Sequence, residues 1–200
     1  MTHVTSPKEL FVHELKDMYY AEKALTKVLP KLADEASDRE LTQAFTSHLR
    51  ETEKQVVNLE KVFRNLGRQP QAELCPGIDG IKKEHDDFMQ EQRGNGSSDL
   101  IDTFLTGAAS RTEHYEIAAY TGLVSMARAL GEKESVELLQ ENLRQEKDAL
   151  KKVESISKRI FKGAAKETTS RKRSNGSRGS SRSKTRTSSS RARTSATRSR

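Results

Sequence analysis

No tryptophan occurs among the 200 residues, cysteine occurs once, proline four times, and aromatic side chains make up only 5% of the chain. Each scarcity excludes something. The single Cys75 cannot form an intramolecular disulfide and reads as a small residue in a loop before Pro76. No run of about 18 apolar residues is present, and MTHVTSPKELF lacks the apolar segment of a signal peptide. A cytoplasmic location without membrane insertion is therefore the expectation. Gly-rich phosphate loops, nucleophile elbows and CxxC pairs are absent, so nucleotide chemistry and hydrolase triads have no foothold. Alternating β-branched runs are also missing, and no strand competes with the helical pattern.

What the chain does have is charge, placed unevenly. The net charge is +7. Residues 163–200 hold twelve basic side chains (Lys166, Arg171, Lys172, Arg173, Arg178, Arg182, Lys184, Arg186, Arg191, Arg193, Arg198, Arg200) against one acid, Glu167. Subtracting this +11 leaves −4 for residues 1–162, a mildly acidic body with a basic appendage. The segment contains no Leu, Ile, Val, Phe or Tyr, so it cannot bury enough apolar area to offset its ordering entropy and reads as a disordered tail. Its spaced cations, from Arg171 onward, suit nucleic-acid phosphates without reading sequence, the alternative being a solubility or tether segment.

Turn and cap signals cut the body, residues 1–162, into long helices. Ser6-Pro7-Lys8-Glu9 and Ser37-Asp38-Arg39-Glu40 read as capping boxes, placing helices at about 7–36 and 38–66, the second ended by Gly67. Gly131 divides two further periodic stretches, about 98–130 and 132–162, and Ile78–Gln92 forms a short extra helix in the long connection. Pro30 is expected to kink the first helix near Thr26. Two helical hairpins joined by a long crossover give an all-α, ferritin-like four-helix bundle.

Three of the four core seams are apolar except for one glutamate. The first runs Leu15, Met18, Glu22, Leu25, Leu29; the third Leu105, Ala109, Thr112, Glu116, Ala119, Leu123; the fourth Leu139, Leu143, Glu146, Leu150, Val153. The second, through Phe45, Leu49, Thr52, Val56 and Leu59, carries His48, Glu51 and Gln55 along its edge. Glu22 and Glu51 lie fifteen and fourteen residues either side of Ser37, and Glu116 and Glu146 fifteen either side of Gly131. At about 1.5 Å rise per residue all four carboxylates fall in one mid-bundle layer. One seam glutamate is commonly a paired or snorkelling carboxylate. Four like charges in one layer repel unless protonated or neutralised, and a pair of metal ions neutralises them.

The segments ELFVHELKDMYYAEKAL, SHLRETEKQVVNLEKVF, RTEHYEIAAY and LLQENLRQEKDAL resemble the YciF/YciE group of ferritin-like bacterial stress proteins over nearly all of residues 6–161. The resemblance implies a bundle with a dinuclear metal site, a homodimer and a link to stress. The general ferritin-like pattern places single glutamates on two helices and Glu-x-x-His on the other two. Glu22 and Glu116 match the single glutamates, and Glu51 and Glu146 match the first members of the pairs. The expected histidines are replaced by Lys54 and Ala149. His48 and Glu113, each one turn before a matched glutamate, are the available substitutes, and so carboxylate-rich a set favours iron or manganese.

Other residues rank lower as ligands. His114 is offset from Glu113 and is placed beside the ligands or at an interface, with Tyr19 and Tyr115 as hydrogen-bond partners of ligand carboxylates; Tyr20 and Tyr120 share that option, against ordinary aromatic packing. His3, His13 and His85 are expected to face solvent. Three functions remain open from sequence: a di-iron or di-manganese protein consuming peroxide or oxygen, a nucleoid-associated stress protein with a structural metal, and a dimeric bundle with a vestigial site.

Overall fold

Ser6 accepts the amide of Glu9 at 3.2 Å, and Glu9 in return accepts the amide and hydroxyl of Thr5 at 2.8 and 2.6 Å. This closes the first helix at its start, with Pro7 in the first turn where its missing N–H costs nothing. In the computed structural model, which describes residues 4–94 and 96–178, with side chains to residue 163 and at Ala165, the helices are α1 (Pro7–Glu35), α2 (Arg39–Asn65), α3 (Pro76–Glu91), α4 (Ser98–Ala129) and α5 (Lys133–Arg178). No strand occurs among the described residues. α1 with α2 and α4 with α5 form the two hairpins, and α3 lies in the crossover, as the ferritin-like reading requires. α1 continues unbroken through Pro30.

The second cap differs from the expected one. Asp38, not Ser37, is the N-cap, accepting the amides of Glu40 and Leu41 at 3.1 and 3.0 Å. The exchange leaves the turn's own amides, Ser37 and Asp38, free to donate to Asp102 of α4 at 2.8 and 2.9 Å. Arg159 of α5 grips the Asp38 carboxylate with two nitrogens at 2.8 and 2.7 Å, so one turn is tied to both helices of the other hairpin. Gly67 (φ 70°) and Gly131 (φ 75°) end α2 and α4 in the left-handed conformation. The following amides of Arg68 and Glu132 reach back to Phe63 and Ala127 at 2.9 and 3.0 Å, consuming carbonyls the helix ends would orphan.

The interior is two apolar clusters rather than one. Phe11, Leu15, Met18, Leu59, Phe63 and Leu123 belong to the first, at the α1 N-terminal end. Leu25, Leu29, Leu41, Phe45, Leu105 and Ile156 belong to the second. Between them in sequence, on every long helix, lie buried polar residues, among them Glu22, Thr52, Gln55, Glu116 and Glu146. α3 crosses α1 and α4: Tyr20 donates to Asp79 at 3.0 Å, Lys31 meets Asp86 at 2.6 Å, and Phe88 stacks on Phe104 at 3.7 Å. Its second residue must be glycine, because a Cβ on Gly77 would sit 2.5 Å from the Tyr115 ring.

One expectation changes here. His85 is buried, not solvent-facing: its Nε2 lies 2.7 Å from Glu35 and its Nδ1 3.1 Å from Asp86, an arrangement that fastens α3 to α1. The helical backbone of α5 runs to Arg178, past residue 163 where the basic segment begins. Ala164, Ala165, Lys166 and Glu167 are good helix formers, and extending an existing helix costs far less than starting one. The chain divides into units at Ala164/Ala165. Arg171, Lys172, Arg173 and Arg178 lie on that helical backbone, whereas Arg182, Lys184, Arg186, Arg191, Arg193, Arg198 and Arg200 lie outside the described residues, as does His3.

Candidate metal centre

His48 is delivered to the interior by α2 because 48, 52 and 55 fall on one helical stripe, and all three side chains are buried. From α4 come Glu113 and Glu116, one turn apart, and from α5 Glu146, all buried. His48, Glu113, Glu116 and Glu146 each present one ligand atom within 4.8 Å of the others. Atoms bound at about 2 Å to a shared ion lie within about 4 Å of each other, so small side-chain rotations close the set. His48 Nε2 is 3.3 Å from Glu113 and 3.7 Å from Glu146.

Much of this polar surface has no partner. Both oxygens of Glu116, one each of Glu22, Glu113 and Glu146, and Nε2 of His48 are buried without a hydrogen bond. Burial, and after it the neighbouring Glu146, pushes the carboxyls of Glu22, Glu113 and Glu116 well above the ordinary range. Buried polar atoms in a native interior are normally satisfied. Oxygen-rich donors with one imidazole, unsatisfied and desolvated together, fit a hard divalent or trivalent cation.

Glu22 and Glu51 flank this group differently. Glu22 is fully buried and accepts a hydrogen bond from Tyr120. Glu51 leaves 43% of its side chain exposed and meets Nδ1 of His48 at 3.4 Å, a bond that holds its carboxyl below the usual range. Position 51 falls one step off the buried 48–52–55 stripe, so equal depth along the helix does not carry Glu51 inside. The ring it contacts turns Nε2 toward the buried carboxylates instead.

The three residues expected beside the ligands go elsewhere. His114 is exposed, its Nδ1 2.8 Å from the Ser110 carbonyl on its own helix. Tyr19 donates to Glu60 at 3.0 Å and packs edge-on against Phe63. Tyr115 donates to Asp17 at 2.9 Å and lies 3.0 Å from the Cys75 sulfur, which places Cys75 in the core at the start of α3. His13 is half exposed beside Glu73 at 3.5 Å. The polar residues that do support the carboxylates are Tyr120 on Glu22 and Gln55 on Glu146. Asn142 backs Tyr120 at 2.9 Å and accepts from Asn58 at 2.9 Å. Each of Gln55, Tyr120 and Asn142 stands four residues from a predicted ligand, the spacing at which helical side chains are neighbours.

Known proteins are similar to this chain in sequence and fold. A family described as a domain of unknown function (DUF892) matches residues 6–166. Protein YciF of Escherichia coli (strain K12) is 36% identical over 141 residues, 70% of this chain and 83% of its own. The crystal structure of the E. coli stress protein YciF superposes with a TM-score of 0.75 at 31% identity, covering 80% of this chain and 99% of that one. YcfI of Rhodopseudomonas palustris gives 0.73 at 40% identity, with 76% and 94% covered. A Xanthomonas campestris protein at 21% identity, TM-score 0.64, shares the fold. A match across the whole helical body, joined to these identities, makes this chain a member of the DUF892 family of YciF-type helical proteins.

Proposed function

We propose that this member of the YciF-type stress proteins holds a pair of iron or manganese ions in its mid-bundle layer, with His48, Glu113, Glu116 and Glu146 at the centre of the ligand set and Glu22 and Glu51 at its flanks. The observation that carries the reading is the group of buried, unpartnered atoms, above all both oxygens of Glu116. Unpaired carboxylates in a core are costly, and cations are the partners their chemistry selects. Bound there, such ions would supply electron exchange with peroxide or oxygen. The protein's own part is orientation and exclusion of water: Tyr120 aims Glu22, Gln55 aims Glu146, Glu51 turns the His48 ring, and the two apolar clusters close the layer above and below.

The reading extends to the remainder of the chain. The +11 tail supports a salt-sensitive tether to nucleic acid, placing the metal chemistry beside the nucleoid. A homodimer is part of the proposal, supported by the apolar side chains that Leu100 and Phe161 leave 60% and 64% exposed. Among the described residues no helix is long and apolar enough to cross a membrane.

Elemental analysis of protein purified without added metal tests the centre. About two iron or manganese ions per chain are expected, and Glu116→Ala should remove at least half. Unchanged stoichiometry in that variant overturns the assignment of Glu116, and metal-free protein that takes up neither ion on titration leaves a vestigial or purely structural layer.

A further inference from the structure

A void beside the carboxylate layer is left unused by the metal reading. It has a volume of about 160 Å³, within the second apolar cluster, and reaches from Glu51, Asp148 and Lys152 at the α2/α5 surface to Ile78 and Ile81 of α3. Protein interiors leave few gaps larger than a water molecule. Ala44, Ala109 and Ala149 line it with short side chains from three different helices, which leaves the space open. Most of the wall is apolar, Leu25, Leu29, Phe45 and Val153 among them; Ser47, Lys82, His85 and Thr112 also line it, and His48 with Glu113 supplies the unpartnered polar atoms.

We propose that this cavity binds a small organic molecule with an apolar body and a single hydroxyl, the size of phenol or cresol, seated with the hydroxyl against His48 and Glu113. Volume sets the size, since an apolar cavity of ~150 Å³ takes benzene. A ligand as small as dioxygen would leave most of the space empty. The inner end sets the polar group. With no ion bound, Nε2 of His48 and one oxygen of Glu113 are both buried without a hydrogen bond, and a hydroxyl, donor and acceptor at once, answers both. A second hydroxyl at the far side of the ring would meet leucine, or a His85 whose two ring nitrogens already face Asp86 and Glu35, and stay unsatisfied, so a diol is rejected.

The proposal rests on the metal reading for what the hydroxyl faces in the loaded protein, and not for the binding itself. The test therefore uses full-length, metal-free protein titrated with p-cresol by calorimetry. One saturable site is expected, at least tenfold tighter than for hydroquinone. Ala149→Leu, which fills the cavity near its mouth and leaves His48 and Glu113 in place, should weaken p-cresol at least tenfold, and Ala44→Val provides a second filling should the first unfold. Crystals soaked in 4-bromophenol should show the bromine among Leu25, Leu29 and Phe45. Absence of saturable binding, equal affinity in folded filled variants, or bromine elsewhere overturns the proposal. Cresol binding by a protein that takes up no metal sinks the metal reading alone, and metal uptake without cresol binding sinks the cavity alone.

Discussion

Tyr120 donates its phenolic hydrogen to Glu22 across the α4/α1 interface while its oxygen accepts from Asn142 of α5 at 2.9 Å. One side chain thus holds three helices at the depth of the carboxylates. Tyr120→Phe keeps the packing volume and removes both bonds, leaving a buried carboxylate oxygen and an amide to find other partners. A loss of about 1–3 kcal/mol in denaturant unfolding is expected, with weaker metal retention because Glu22 loses its fixed orientation. A variant with unchanged stability and metal content would show that Glu22 is positioned by something else.

The metal-free protein should lose stability as the pH rises. Burial and the charge of Glu146 hold the carboxyls of Glu22, Glu113 and Glu116 well above the ordinary 4.5. These groups bind more protons folded than unfolded, so their penalty is absent below about 4.5 and grows as the pH climbs through the raised values. Asp38 and Glu51, held low by Arg159 and His48, are already ionised at pH 5.5. Melting of the apo form at pH 5.5 should therefore exceed that at pH 8. Metal requires the deprotonated ligands, so its stabilising effect should be larger at pH 8. A flat apo profile, or one rising with pH, would mean that these carboxyls are solvated.

Asp102→Ala tests the tie between the hairpins. It removes the acceptor of the Ser37 and Asp38 amides, and a cost of about 2 kcal/mol in thermal or denaturant unfolding is expected. Metal content should stay unchanged, since Asp102 lies at the turn and not among the ligand candidates. A neutral outcome would mean that water replaces the carboxylate freely.

Truncation after Ala164, at the boundary between the two units, should leave a folded, metal-binding body that no longer binds mixed-sequence duplex DNA. Full-length protein should bind that duplex with an affinity falling steeply from low to physiological salt, because each neutralised phosphate releases counterions. Equal binding by the truncated body, or salt-independent binding by the full chain, would remove the tail from the interaction.

The long helices and their pairing were legible because apolar residues at three-four spacing, two glycine stops and the capping residues all point the same way. The depth of the carboxylate layer was legible too, since helix rise is constant. Rotation about the helix axis was harder. Glu51 and His48 are one turn apart, and contacts between helices decide that His48 turns inward, toward Glu113 of α4 and Glu146 of α5. His85 looked like a surface residue because its partners, Glu35 and Asp86, are distant or adjacent in sequence in ways that periodicity does not report. The tyrosines were ambiguous for a similar reason: all four had a hydroxyl to place, and which met a candidate ligand depended on contacts between helices.

The polar layer between the two apolar clusters also fixes how the helices align lengthwise. Sliding α1, α4 or α5 by one turn, about 5.4 Å, would drive a buried carboxylate among the leucines of one cluster, and sliding α2 would do the same with His48 and Gln55. Each long helix thus carries its own alignment mark between its two apolar stretches. The connection between Gly67 and Ser97 is consequently released from any duty of measuring distance, and insertions or deletions there should change the crossover without shifting one hairpin against the other.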